Sequence, residues 1–97
     1  MKHTSATITI TVILRSPFNE WFASQKNILE VPKGSTIAET VETLIKRENM
    51  HKILKAKRAY NMDELKALYA VNESIEKREF VLQEGDVLKI FGVFMGG

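Results

Sequence analysis

Thr7-Ile8-Thr9-Ile10-Thr11-Val12-Ile13-Leu14 sets the fold class of this 97-residue chain. Ile8, Ile10, Val12 and Leu14 alternate with Thr7, Thr9 and Thr11. Successive side chains leave a strand on opposite sides, so a period of two in β-branched residues predicts a strand with one buried face. Arg15-Ser16-Pro17 ends the run, because proline cannot donate to a sheet ladder. Beyond it, Phe18, Trp21 and Phe22 stand at i, i+3 and i+4. That spacing fits a short helical turn pinned on the core, rather than an aromatic cage for a ligand.

Asn27-Ile28-Leu29-Glu30-Val31 reads as a second strand, and Pro32-Lys33-Gly34 as a turn. Thr36 followed by Glu39 forms a capping box, in which each side chain satisfies a free backbone N–H at a helix start. Ile37, Val41, Leu44 and Ile45 then share one helical face, predicting a helix from Thr36 to about Arg47. Asn61 and Glu64 suggest a cap for another short helix. Ala67–Val71 reads as a strand running into Asn72, a residue that tolerates a left-handed turn. Phe80-Val81-Leu82 is a short extended piece. Glu84-Gly85-Asp86 marks a tight turn, and Val87–Phe91 is the final strand with Leu88 and Ile90 on one face. This order predicts an α+β domain, a mixed sheet wrapped on one main helix, with a single core over residues 1–97.

Composition narrows the chemistry. The chain has no cysteine, which excludes disulfides, thiolate metal sites, cysteine nucleophiles and side-chain persulfides. His3 and His51 are far apart, so no metal site is expected. No apolar run approaches the length of a membrane span and the N-terminus lacks a signal-like apolar stretch, so a cytoplasmic protein is expected, with no membrane partner. The five glycines form neither a phosphate loop nor a dinucleotide fingerprint, and no carboxylate pair is spaced for acid–base work. The chain is therefore read as a non-enzyme that binds no cofactor of its own.

Formal net charge is only +2, yet Lys46, Arg47, Lys52, Lys55, Lys57 and Arg58 are set against the single acid Glu48. Two readings stand for this run: a solvated helix end and loop, or a docking patch for an acidic partner, where charge raises association rate more than affinity. Nucleic acid is not expected, because only Tyr60 offers a nearby stacking ring.

The sequence closes on Gly96-Gly97 directly after a strand. Without Cβ atoms, two glycines make a narrow tail with an unhindered carboxylate, able to thread a tight slot. A carboxylate is a poor electrophile until it is activated as an acyl-adenylate. A frayed terminus with no role is the alternative.

Several pieces, in order, resemble the small β-grasp sulfur carriers, namely the thiamine-biosynthesis carrier and the small subunit of molybdopterin synthase. They are Val31-Pro32-Lys33-Gly34-Ser35-Thr36-Ile37, then Val71-Asn72, then Leu82-Gln83-Glu84-Gly85-Asp86-Val87-Leu88-Lys89-Ile90, and finally Gly96-Gly97. Three features depart from the family pattern, the first being that the middle segment with its basic run matches neither branch well. Asn72-Glu73 stands where members often have Asn-Gly, and Gly92-Val93-Phe94 stands where the molybdopterin type has prolines. The resemblance implies a ubiquitin-like β-grasp and a carrier cycle. A ubiquitin-activating-like adenylyltransferase would use ATP and magnesium to adenylate Gly97. The carboxylate would become a thiocarboxylate, and a synthase subunit would accept the sulfur for molybdopterin or thiamine biosynthesis. Gly96 would let the tail enter the partner, and Phe91, Val93, Phe94 and Met95 would anchor it on apolar partner surface. For Phe91, packing on the chain's own core is an equal alternative. Ubiquitin-like protein modifiers share the fold and the tail, and a β-grasp binding module with an inert tail is the third reading.

Overall fold

The computed structural model describes residues 6–62 and 64–93. The first strand, β1 (Thr7–Leu14), has the expected alternation, with Ile8, Ile10, Val12 and Leu14 buried. A one-turn helix, α1 (Phe18–Trp21), follows. Phe18 and Phe22 are buried in the core and Trp21 packs against it, so these rings are packing residues. Strand β2 (Lys26–Pro32) pairs antiparallel with β1 and buries Asn27, Leu29 and Val31.

The main helix, α2 (Ile37–Arg47), starts with the expected box: the Glu39 N–H donates to Thr36 Oγ1 (3.1 Å), and the Thr36 N–H donates to Glu39 Oε1 (2.9 Å). Two further N–H groups of its first turn are satisfied from outside, Ile37 by Phe80 O (2.9 Å) and Ala38 by Arg78 O (3.0 Å). Ile37, Val41, Leu44 and Ile45 are the buried face of this helix.

Residues 48–66 correct two expectations. The basic run is not a helix end followed by loop. A second helix, α3 (His51–Ala56), forms within it, anchored by buried Leu54 and by Met50 just before it. Nor do Asn61 and Glu64 cap a helix. Strands β3 (Tyr60–Asn61) and β4 (Glu64–Leu65) form a small hairpin that pairs Tyr60 with Leu65 and buries both. Met62 takes φ 54° at its tip, a left-handed angle that stops helix propagation.

Strands β5 (Ala67–Val71), β6 (Ser74–Glu76) and β7 (Val87–Gly92) complete a five-stranded sheet of order β2-β1-β7-β5-β6. β7 runs parallel to β1 and antiparallel to β5. The expected extended piece at Phe80–Leu82 reduces to a bridge between Val81 and Thr36, and the strand beside β5 is instead Ser74–Glu76. Two left-handed residues turn β5 into β6, Asn72 (φ 49°) and Glu73 (φ 75°), which is the geometry of a tight hairpin. Asn72 holds the turn by donating to Asp86 Oδ1 (2.8 Å) and accepting from the Val87 N–H (3.0 Å). The second carboxylate oxygen of Asp86 accepts from the Gln83 N–H (2.8 Å) and so fixes the tight turn at Gly85.

Glu73 pays a steric penalty for its angle that glycine would not. Its carboxylate meets the Lys89 ammonium at 2.7 Å, which holds the carboxyl below its usual range, but the group is fully exposed. A non-glycine residue in this region costs about 1–2 kcal/mol, of which the greater chain entropy of glycine takes back roughly 0.5–1. Glu73→Gly is therefore expected to raise the urea midpoint, by up to about 1 kcal/mol in stability. A fall in the midpoint would show that the Lys89 contact outweighs the backbone strain.

Candidate functional site

β7 delivers the chain to its tail. Its end is fastened on both sides, with the Arg15 N–H donating to Ile90 O (2.9 Å), the Gly92 N–H donating to Ser16 O (3.2 Å), and Ala67 of β5 paired with Gly92. Val93 is the last described residue and is exposed. Phe94, Met95, Gly96 and Gly97 lie outside the described residues.

Alternation along β7 divides its side chains. Leu88 and Ile90 point into the core, whereas Val87, Lys89 and Phe91 share the opposite face of the sheet. Phe91 stands directly across from Leu68 of β5, and Ala70 lies across from Ile75 of β6. Leu68 is 52% exposed and Ile75 68%. Phe91, half-buried, is not part of the core cluster. Phe91, Leu68 and Ile75 thus form an apolar patch next to the root of the tail. The sequence reading named Phe91 but not Leu68 or Ile75. The signal for Leu68 lay in the alternation of β5, where Tyr69 and Val71 turn inward. Burial of Tyr69 pushes its phenol up to about 12, so it stays neutral in the wall beneath.

The six basic residues are distributed over α2, α3 and the turn that follows α3. Lys46 lies on the exposed side of α2. Arg47 is tied to its own surroundings: it contacts Glu48 Oε2 (3.1 Å) and donates to Asn27 Oδ1 (3.0 Å) and Ile28 O (3.4 Å), joining the end of α2 to β2. Lys52 and Lys55 are exposed on α3. Lys57 and Arg58, at the end of α3, reach the tail root. They line a cleft of about 100 Å³ together with Lys66, which the sequence reading did not single out, the apolar residues Pro17, Phe18 and Trp21, and Gly92-Val93. Lys57 Nζ sits 4.9 Å from the centroid of the Trp21 ring.

Glu42 of α2 holds α3 and its hairpin in place. One carboxylate oxygen lies 2.5 Å from His51 Nε2, the other accepts from the Tyr60 hydroxyl (2.8 Å), and the two rings pack edge to face. With both oxygens engaged, this cluster works as a brace between α2 and residues 51–60. No helix among the described residues is long and apolar enough to cross a membrane.

The ThiS family model matches residues 18–97. Among curated proteins, none matches the sequence. Solved structures share the fold. SAMP1 from Haloferax volcanii is 21% identical with a TM-score of 0.72, over 92% of this chain and 99% of that one. A putative molybdopterin converting factor subunit 1 from Pyrococcus furiosus is 22% identical with a TM-score of 0.68, over 88% and 97%. A chain from the complex of subunits 1 and 2 of molybdopterin-converting factor from Helicobacter pylori is 16% identical with a TM-score of 0.55, over 93% and 100%. The fold is accordingly the ubiquitin-like β-grasp, as the resemblance implied.

Proposed function

We propose a carrier role on one premise: this chain belongs to the ThiS family. In this reading the protein is a sulfur carrier and not an enzyme, working through the carboxylate of Gly97. A ubiquitin-activating-like adenylyltransferase, using ATP and magnesium, forms the bond between that carboxylate and the α-phosphate, and pyrophosphate leaves. A sulfide equivalent then attacks the acyl carbon, AMP leaves, and a thiocarboxylate results. A synthase subunit accepts the sulfur in molybdopterin or thiamine biosynthesis.

The observation that carries this reading is the position of Phe91, Leu68 and Ile75. An apolar patch on the outer face of the sheet adjoins the strand that leads to Gly96-Gly97. A partner that covers the patch is positioned to receive a tail leaving from Val93. Apolar and aromatic side chains of this kind supply the buried centre of an interface.

Intact mass after incubation with the adenylyltransferase, ATP, magnesium and sulfide tests the proposal. Replacement of one oxygen by sulfur is the expected result. The name "small archaeal modifier protein" carried by structural neighbours favours a second reading, in which the same activated tail is joined to lysines of other proteins. Higher-mass conjugates without the oxygen-for-sulfur exchange would support that reading. No ATP-dependent change at all would overturn both.

A further inference from the structure

Lys57, Arg58 and Lys66 line the cleft at the tail root, and among the described residues no carboxylate lies within ion-pair distance of them. Among the described residues, Arg47, Arg78 and Lys89 each lie within ion-pair distance of a glutamate. Lys57, Arg58 and Lys66 do not, although the fold fixes their backbones firmly. The Arg58 N–H donates to Lys55 O (3.0 Å), the Ala59 N–H to Leu54 O (2.8 Å), and the Lys66 N–H to Ala59 O (2.8 Å). Arg58 takes φ 61°, the left-handed turn that ends α3 and brings it to the cleft. The cleft's other lining includes the apolar side chains of Pro17, Phe18 and Trp21, with Lys57 Nζ over the Trp21 ring. A low-dielectric lining beside cations concentrates positive potential.

We propose that this cleft receives a glutamate or aspartate side chain from the protein that covers the tail. The inference rests on the carrier reading above and adds the charge of the partner. Two arguments select a protein carboxylate. First, about 100 Å³ is well below the roughly 300–1,000 Å³ of pockets that hold cofactors or nucleotides, so the cleft suits a side chain. Second, the cleft adjoins the strand ends that carry the apolar patch: Gly92 follows Phe91 and Lys66 stands two residues before Leu68, so a partner seated on Phe91 and Leu68 lies next to the cleft. A partner that brings surface over these cations without providing an anion leaves them partly desolvated and unpaired, which disfavours the complex. A matched carboxylate removes that cost and steers the approach.

Trp21, the single tryptophan, reports on the cleft. The full chain is titrated at low salt with a short acetylated Leu/Glu peptide, with its Leu/Gln counterpart and with inorganic phosphate. Trp21 fluorescence and the amide shifts of Arg58, Lys66 and Gly92 are followed. The glutamate peptide is expected to give a saturable change that weakens with salt, and Lys57→Gln/Arg58→Gln/Lys66→Gln to weaken it roughly tenfold or more. These side chains are exposed, so a thermal melt shows whether the triple variant is folded. Lys66→Gln alone, expected to weaken binding severalfold, serves if it is not. An equal response to the glutamine peptide, an equal affinity for phosphate, no response at low salt, or an unchanged affinity in the folded variants would overturn the proposal. The titration does not depend on tail chemistry. Peptide binding that persists in a chain lacking Gly96-Gly97 supports the cleft even if no thiocarboxylate ever forms. Loss of the peptide response in a chain that still forms the thiocarboxylate removes this inference and leaves the carrier reading intact.

Discussion

Deleting Gly96 and Gly97 should abolish every ATP-dependent mass change in the chain while leaving its unfolding midpoint within about 0.5 kcal/mol of the parent. Among the described residues, the core is built from residues between Ile8 and Ile90 and the final backbone bond of the sheet is made at Gly92, so the expected loss of stability on removing the final pair is small. In the carrier reading the chemistry depends on them entirely, because the Gly97 carboxylate is the group that reacts. Gly97→Ala is the finer test. One added methyl in a slot shaped for glycine is worth about 1–3 kcal/mol, so adenylation should slow by about 10- to 200-fold with an unchanged melt. Pyrophosphate release measures the rate. A normal rate in Gly97→Ala would mean that the end group meets no narrow slot, and full cellular function after the deletion would remove the carrier reading.

Ile90 and Phe91 are neighbours whose truncations should do opposite things. Ile90 points into the core and is almost fully buried. Ile90→Ala should cost about 2–5 kcal/mol, a large part of the roughly 5–15 that holds a domain of this kind together, and urea denaturation reads it. Phe91 faces outward across from Leu68. Phe91→Ala should lose only the cross-strand pairing, about 0.2–1 kcal/mol of stability. Its affinity for the adenylyltransferase should nevertheless fall by about 2 kcal/mol or more, roughly thirtyfold, as expected for an aromatic at the centre of an interface. Calorimetric titration separates the two effects. If Phe91→Ala unfolds the protein as severely as Ile90→Ala, the residue belongs to the core and the outer-face interface fails.

What the sequence revealed, and what it hid, follows from how local each signal is. β1 was legible because strict alternation of β-branched residues has one interpretation, and the start of α2 because Thr36 and Glu39 satisfy each other within one turn. α3 was hidden because its lysines mask a small apolar anchor, Met50 and Leu54, four residues apart. The β3–β4 hairpin was misread because Asn61 and Glu64 carry capping spacing, while the deciding fact is the burial of Tyr60 against the rest of the molecule. β6 has no pattern of its own and exists because the turn at Asn72-Glu73 returns the chain along β5. The candidate site divided in the same way. Gly96-Gly97 is a property of the sequence, whereas the cleft joins residues from position 17 to position 93 and is visible only once the chain is folded.

The parallel pairing of β7 with β1 has a consequence for quality control. β7 follows every other strand in the chain yet lies between β1 and β5, in the middle of the sheet. Such long-range pairings close late, because the loop entropy must be overcome before they form. Phe91 can stand beside Leu68, and Lys66 beside Gly92, only when that central strand is seated. A half-folded molecule would carry the same terminal sequence but none of the surface around it, so an activating partner that reads this surface would pass over immature chains.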